Sequence, residues 1–517
     1  MPTYARFVAA FVSGAVLSLV SPPVGLHWLH WVSFVPILLA LHPTDHRLNF
    51  RLGYFSGFVA VFLLFFWLAE TIVEFSNLPM IAAAGVLALF AAVWGLPYGL
   101  LMLLVHPLRR RFGPRWVFLF PACWVASEYL QPALFPYFQG VGQYRALWVW
   151  QLASVFGAMG VTWLLLLVNC AVAELVDARG AKRAWLPFGI AAGLFFANLG
   201  FGAWRTRHVD EVLASAPIKR VSILQQHVTM TERLKDSGRK AFRSWVALTA
   251  KLEGEDVDLI VWPEGAVPGN PHEGDAAEFL GELAARHDAW FLTGGGTAEA
   301  DRFDANRRIH RNSCYLFDPD GEVVGRYDKM VPLPFGEYLP WPVSYLRDYI
   351  QGPGNFRAGE TPYVFDAGGL RFTTPICYEA ILEAQMRNLM DTDVFVNITN
   401  DGWFGDTAAP HQHAMLSAVQ AVQFGRPMLR VAYTGISMVV DPNGRIHAET
   451  EPYTDVAEVV PMRVATFDTP YRTWGGWFPL LAAGVGATAA LMAFRNERRL
   501  AAEAAPSEPV TPSGPAA

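Results

Sequence analysis

Seven apolar runs precede a polar block at 205–471 and an eighth follows it, and this alternation leaves the chain few folds to choose from. The runs centre on 7–20, 26–41, 52–73, 80–105, 116–130, 147–175, 185–202 and 474–494. A helix needs about 20 apolar residues to cross the hydrocarbon core, so the shorter runs must extend or tilt beyond these limits. With 53% hydrophobic and 17% charged residues and a mean hydropathy of +0.25, the chain is too apolar for an ordinary soluble enzyme. A formal charge of −6 gives no general basic surface, which excludes nucleic acid as a partner.

Basic residues orient the runs, because cytoplasmic loops collect Lys and Arg. They cluster after the second run (Arg47, Arg51), the fourth (Arg109, Arg110, Arg111, Arg115), the sixth (Arg179, Lys182, Arg183) and the eighth (Arg495, Arg498, Arg499). Every even-numbered exit is therefore expected inside, and seven crossings put the polar block outside. Arg6 precedes the first run, which lacks a small-residue cleavage site and reads as a retained helix. The expected division is a seven-helix membrane domain at 1–204, an extracytoplasmic domain at 205–471, a last membrane helix at 472–496 and a disordered Ala/Pro/Ser-rich cytoplasmic tail at 497–517.

Within the polar block, short β-rich runs alternate with amphipathic ones. Strands are predicted at 220–225, 257–262, 290–293, 312–317, 323–327, 370–376, 394–399, 429–433 and 437–440, and helices at 231–252, 275–286, 381–389 and 412–424. The alternation predicts a layered α/β domain large enough to bury its own core.

Three residues at strand ends carry the candidate chemistry. Glu264 follows Leu259-Ile260-Val261-Trp262, and Pro263 stops that strand. A carboxylate beside Trp262 at a strand edge suits proton transfer, although a helix cap or surface turn has the same local look. Cys377 ends a strand and is followed by Tyr378-Glu379-Ala380, which reads as a helix start. There the helix dipole favours the reactive thiolate; a buried structural cysteine is the alternative. Lys329, in Tyr327-Asp328-Lys329, is either a solvated turn residue or an ammonium able to stabilise a thiolate or an oxyanion. Cys123 and Cys170 lie in apolar runs and read as packing residues, and Cys314 reads as a strand residue.

Taken in order, Val261-Trp262-Pro263-Glu264, Tyr327-Asp328-Lys329, the run from Val331 to Tyr338, Ile376-Cys377-Tyr378-Glu379, Asn400-Asp401-Gly402-Trp403-Phe404-Gly405 and Pro410-His411-Gln412-His413 resemble the nitrilase superfamily. More narrowly they resemble its membrane-embedded apolipoprotein N-acyltransferase branch. Phe135-Pro136-Tyr137 is similar to a Phe-Pro-Trp of that branch. The resemblance implies an αββα sandwich, with Glu264 as general base, Lys329 as oxyanion stabiliser and Cys377 as nucleophile. Glu337, Tyr378 and Glu379 match further site positions, with Glu337 orienting Lys329; Trp262, Phe335, Tyr338 and Trp403 are carried as supporting or substrate-binding residues. It implies an acyl donor such as phosphatidylethanolamine, diacylglyceryl-modified apolipoproteins as acceptors, and contact with membrane lipids. No cofactor is expected. Where the family commonly has a Lys-Trp pair, this chain reads Arg233-Leu234-Lys235.

The aromatic, proline-rich stretch from Phe335 to Tyr345 is expected to act as a lid at the headgroup zone, with a packed internal loop as the alternative. His411 and His413 read as polar residues at a helix start rather than metal ligands. Gly294-Gly295-Gly296 lacks the ending of a phosphate loop and reads as a tight turn. Two other functions share these residues: a membrane-tethered amidase, which needs no extended membrane domain, and a non-catalytic lipoprotein-binding protein, which needs no intact triad.

Overall fold

The computed structural model describes residues 1–504 except 77, 133, 236–237, 302–303 and 347–354. Among the described residues the polar block forms twelve strands: β1 (Ile218–Gln225), β2 (Leu259–Val261), β3 (Trp290–Asp301), β4 (Asp304–Phe317), β5 (Val323–Asp328), β6 (Phe365–Ala367), β7 (Leu370–Thr373), β8 (Val394–Thr399), β9 (Met428–Ala432), β10 (Met438–Val440), β11 (Ile446–Glu449) and β12 (Val456–Arg463). They make two six-stranded sheets, ordered β12-β1-β2-β3-β4-β5 and β11-β10-β9-β8-β7-β6. The central pairs β1–β2, β2–β3, β7–β8 and β8–β9 are parallel, and the flanking pairs antiparallel. β8 is buried at all six positions, as a strand covered on both faces must be.

The sheets pack face to face through Val221, Val261 and Leu316 on one side and Phe372, Val396 and Val431 on the other. Helices Arg239–Ala250 and Gly274–His287 cover the outer face of the first sheet through Trp245, Leu248, Leu280 and Leu283. Helix Ala408–Phe424 covers the second through Ala414, Ala418 and Phe424. This is the αββα sandwich expected.

Several element readings change. The helix expected at 231–252 is two, Met230–Lys235 and Arg239–Ala250. The glycine triplet lies inside β3, paired with Asn312–Cys314, because the Pro263-Glu264 backbone presses on the strand. A Cβ on Gly294 would sit 2.6 Å from Pro263 O and 2.8 Å from Glu264 Cα. β6, β11 and β12 were not foreseen; β12, which carries Pro461, is an edge strand with only Met462 buried, where the hydrophobic signal is weak.

Eight spanning helices are expected from the apolar runs, but the described residues hold four helices long and apolar enough to cross a membrane. The number is five if His46–Leu64 and Trp67–Glu74, bent by 53°, form one span. The fourth and fifth runs share one helical stretch, Met80–Leu130. The second run is a 3-10 turn, His27–Trp31, and a short helix, Val35–Ala40. Phe34 N donates to Asn169 Oδ1 instead of to a helix carbonyl, and Pro36 starts a new helix. The seventh run extends to Lys182–Ser215, so the expected boundary at 204 falls inside a continuous helix separated from β1 by two residues. The last helix, Trp477–Ala504, runs past 497; the rest of the expected tail, 505–517, lies outside the described residues.

The two ends of the helical part are chemically distinct. At one end Arg110 pairs with Glu497 and donates to Pro43 O (2.9 Å), while Arg109 pairs with Asp177 (2.8 Å). The opposite ends of the same helices meet the sandwich: Gln412 donates to Leu64 O (3.0 Å), Ala158 N to Gln423 Oε1 (2.8 Å) and Gln151 to Asn443 O (2.9 Å). Between these bonds Val141, Trp150 and Ala153 pack on Tyr378, Met415 and Val419.

Candidate active site

Three loops that leave β2, β5 and β7 bring Glu264, Lys329 and Cys377 to one buried site. Beyond β2 the strand cannot continue through Pro263, and the chain turns at Gly265 (φ 64°), leaving Glu264 at the strand's carboxyl edge. Its Oε1 accepts from Asn312 Nδ2 (2.6 Å) and Lys329 Nζ (3.4 Å), and its Oε2 accepts from Asn400 N (2.8 Å). Lys329 is 1% exposed, and its ammonium lies 2.7 Å from Glu337 Oε2. Glu337 also accepts from Asn312 Nδ2 (2.8 Å) and Leu333 N (2.6 Å). One ammonium thus faces two carboxylates, and one amide, Asn312, ties those carboxylates together.

Cys377 stands just past the end of the parallel β7–β8 ladder, which continues as a bridge between Ile376 and Ile398. Its φ of 53° is left-handed, a conformation costing an L-residue about 1–2 kcal/mol, and it turns the chain into a 3-10 helix, Cys377–Ile381. The expected dipole stabilisation of a thiolate is overridden here. The turn is only five residues long, and burial together with the Glu264 carboxylate pushes the thiol well up, with Lys329 pulling the other way. The resting group is a thiol.

Charge is otherwise strongly held. Burial alone would neutralise Lys329, but the Glu337 and Glu264 carboxylates keep its ammonium well above the usual range. Burial likewise pushes Glu337 up and is outweighed by Lys329 and the Asn312 amide, so its carboxyl is lowered.

The supporting residues divide. Glu379 is fully buried and joins two of the loops: Oε1 accepts from Tyr327 Oη (2.9 Å), Met330 N (2.7 Å) and Val331 N (3.0 Å), and Oε2 from Ile376 N (2.8 Å). Burial pushes it up to about 7, restrained by those backbone donors. Tyr378 points to the helical part, donating to Leu134 O (2.6 Å) with its ring 6.3 Å from Phe135. Trp262 is a correction: it lies in the core under helix Arg239–Ala250, donating to Thr249 Oγ1 (2.9 Å) and packing on Phe291, because alternation puts it with Ile260 on the outer face of the sheet while the turn through Pro263 and Gly265 carries Glu264 away from it. Phe335 is half exposed and Tyr338 half-buried, joined by Phe335 N to Tyr338 O (2.7 Å); Trp341 and Tyr345 are each 78% exposed. Trp403 is half-buried in the 3-10 turn Asp401–Phe404.

Sequence reasoning missed other parts of the site. Asn312 and Asn400 hold Glu264, yet in sequence they are one amide on a strand and one in a turn motif. His413, read as a polar residue at a helix start, is buried in the second turn of helix Ala408–Phe424: its Nδ1 lies 2.7 Å from Asp401 Oδ1, whose other oxygen takes Arg430 Nη2 (2.7 Å). His411 is half-buried beside it, outside this network. Arg233 stands where the family's Lys-Trp arm is expected, and it buttresses the Glu264 turn by donating to Gly265 O (2.7 Å) and stacking 4.9 Å from the Tyr433 ring centroid. A thiol confined with a carboxylate and an ammonium can be deprotonated, attack a carbonyl and have the resulting oxyanion stabilised.

Comparison with known proteins gives the same two-part division. Residues 13–171 match the family described as apolipoprotein N-acyltransferase N-terminal domain, and residues 220–466 match carbon-nitrogen hydrolase. The chain is 30% identical over 511 residues to an apolipoprotein N-acyltransferase of Geobacter metallireducens, covering 95% of this chain and 96% of that one. It is 30% identical to one of Brucella melitensis (93% and 95% covered) and 32% identical to one of Sinorhizobium medicae (85% and 86%). Among solved structures, an amidase from Nesterenkonia sp. aligns at TM-score 0.35 and 18% identity over 47% of this chain and 90% of its own, and Nit3 of Saccharomyces cerevisiae at 0.36 and 18% over 48% and 90%.

Proposed function

This chain belongs to the apolipoprotein N-acyltransferases, and from that premise we propose that it transfers an acyl chain through a thioester on Cys377, with Glu264 as general base and Lys329 as oxyanion stabiliser. Lipoprotein N-acylation is the family's activity; the route and the residue roles are our reading. The observation that carries it is the meeting of a buried thiol, a carboxylate fixed by Asn312 and Asn400, and an ammonium held charged by two carboxylates.

In the first half-reaction Glu264 takes the Cys377 proton as Sγ attacks the ester carbonyl of a phospholipid acyl chain. The C–S bond forms and Lys329 stabilises the oxyanion. The ester C–O bond then breaks, the leaving oxygen takes the proton back from Glu264, and a lysophospholipid departs. In the second half-reaction Glu264 takes a proton from the α-amine of a diacylglyceryl-cysteine N-terminus. Nitrogen attacks the thioester, C–S breaks, and the proton returns to Cys377. Because burial and the Glu264 charge keep the resting group a thiol, proton transfer and attack are coupled to the arrival of the carbonyl.

The same reading assigns helices within 1–204 and 472–496 to the bacterial inner membrane and the block at 205–471 to its periplasmic face. The basic residues Arg109 and Arg110, at the end of the helices away from the sandwich, support that orientation. The exposed Trp341 and Tyr345 suit a lid resting in the headgroup layer, with phosphatidylethanolamine as a fitting donor. Incubating the purified protein with phospholipid and mapping the adduct by mass spectrometry tests the whole scheme. The expected result is an acyl-sized mass on Cys377, absent from Glu264→Gln; normal transfer by Cys377→Ala would refute it.

A further inference from the structure

One hydroxyl beside the thiol has no part in the scheme above. The bridge between Ile376 and Ile398 sets the Cys377 turn beside Thr399, the last residue of β8, and brings the hydroxyl within hydrogen-bonding reach of the thiol. Thr399 is fully buried, and its Oγ1 donates to Asp401 Oδ1 over 3.3 Å. That is the longest bond the carboxylate receives, since the same oxygen takes His413 Nδ1 at 2.7 Å and the other takes Arg430 Nη2 at 2.7 Å. Arg430 is itself fixed by Asn397 Oδ1 (2.7 Å), Ser417 Oγ (3.0 Å) and Ile436 O (3.1 Å). Asp401 is thus satisfied without Thr399, and the hydroxyl is held within reach of two acceptors, only one of which needs it.

We propose that Thr399 is a hydrogen-bond switch for the nucleophile: its hydroxyl donates to Asp401 while Cys377 is a thiol and turns to donate to Sγ as the proton passes to Glu264. No covalent bond changes at Thr399; the proton moves from Sγ to a Glu264 oxygen, and one hydrogen bond is exchanged for another. The Asp401–His413–Arg430 cluster acts as the anchor that parks the hydroxyl and rigidly defines its pivot. The charged groups that face Cys377 are Glu264 after β2, Lys329 after β5 and Asp401 after β8. Glu264 and Asp401 both oppose a thiolate, so a neutral donor that adds no further charge offsets them. A hydrogen bond donated by Thr399 to Sγ acts in the direction that favours ionisation.

The inference rests on the reading of Cys377 as nucleophile, and the test separates the two. Full-length protein in detergent would be compared as wild type, Thr399→Val, Thr399→Ser and Cys377→Ala. Three readouts are taken: iodoacetamide alkylation of Cys377 against pH, single-turnover thioester formation from phospholipid, and KM for that donor. Thr399→Val is expected to form the thioester about 10- to 150-fold more slowly, the loss of one hydrogen bond to a charged acceptor. Its alkylation profile should move to higher pH while KM is unchanged, and Thr399→Ser should restore both. Thr399→Ala gives the same readings should valine not be tolerated. Wild-type alkylation and thioester rates in Thr399→Val or Thr399→Ala, or equal impairment of Thr399→Ser, overturns the switch while an inactive Cys377→Ala leaves the nucleophile standing. Transfer by Cys377→Ala overturns both.

Discussion

Asn312 is the residue on which the electrostatics of the site turn, and replacing it by leucine removes its amide while keeping its size. Its Nδ2 donates to Glu264 Oε1 at 2.6 Å and to Glu337 Oε1 at 2.8 Å. Each is a bond to a charged acceptor, contributing about 1.5–3 kcal/mol. Glu337 keeps Leu333 N and Lys329, but Glu264 is left with Asn400 N and the longer 3.4 Å contact to Lys329. Loss of the Glu264 bond alone is therefore expected to slow thioester formation by about 10- to 150-fold. A second effect has its own signature. Without the bridging amide, Glu337 loses one of the groups that hold its carboxyl down, and its charge beside Lys329 is less firmly kept. The ammonium then has a weaker partner at neutral pH, and part of the lost rate should recover as the pH is raised. Single-turnover formation of the Cys377 adduct, followed by mass spectrometry from neutral to mildly alkaline pH, measures both. Asn312→Asp, which adds a third carboxylate, should fall further than Asn312→Leu. An Asn312→Leu protein with close to the wild-type rate and a parallel pH profile would refute the reasoning.

Other residues give sharper structural tests. Glu379→Gln presents an NH2 group to donors at one end of the side chain, losing a charge-assisted bond and stranding a buried N–H, for a cost of about 3–5 kcal/mol; thermal unfolding should show it, along with loss of adduct formation. Asp401 is pushed up by burial but held down to about 2 by Arg430 and His413. Its folded value lies below the unfolded one, so its stabilisation is complete above about pH 4 and lost as pH falls through about 2, a contribution of about 2–3 kcal/mol. Melting temperature should fall over that window, and Asp401→Asn should flatten the dependence. Tyr378→Phe removes the bond to Leu134 O and is expected to cost about 1 kcal/mol, read as faster hydrogen exchange around residues 134–138 with adduct formation retained.

Much of the catalytic part was legible in order along the chain. Pro263 after an apolar strand announces that Glu264 stands at a strand edge, and the observed end of β2 at Val261 agrees with it. β8 matches its predicted range of 394–399 because a short run rich in β-branched and aromatic residues is closed by the turn residues Asn400-Asp401-Gly402. The helical part was less legible: apolar character at 26–41 does not reveal that Asn169 captures the Phe34 amide and ends the turn. The Asp401–His413–Arg430 cluster was invisible for a similar reason, since its members come from a loop, a helix and a strand and meet only through packing.

Local chemistry and period belong to the sequence alone: where strands end, which residue types wait there, how many apolar runs flank them, and on which side the positive charges gather. These are properties of near neighbours, and backbone sterics and hydrophobic periodicity express them directly. The tertiary structure alone decided which partners those residues acquire. Glu264 and Cys377 belong to different sheets with β3 to β7 between them in the chain, and only the parallel ladder, the Asn312 amide and the burial they share turn a carboxylate, an ammonium and a thiol into one coupled group. Charge interactions depend on distance and desolvation, and both are set by the fold.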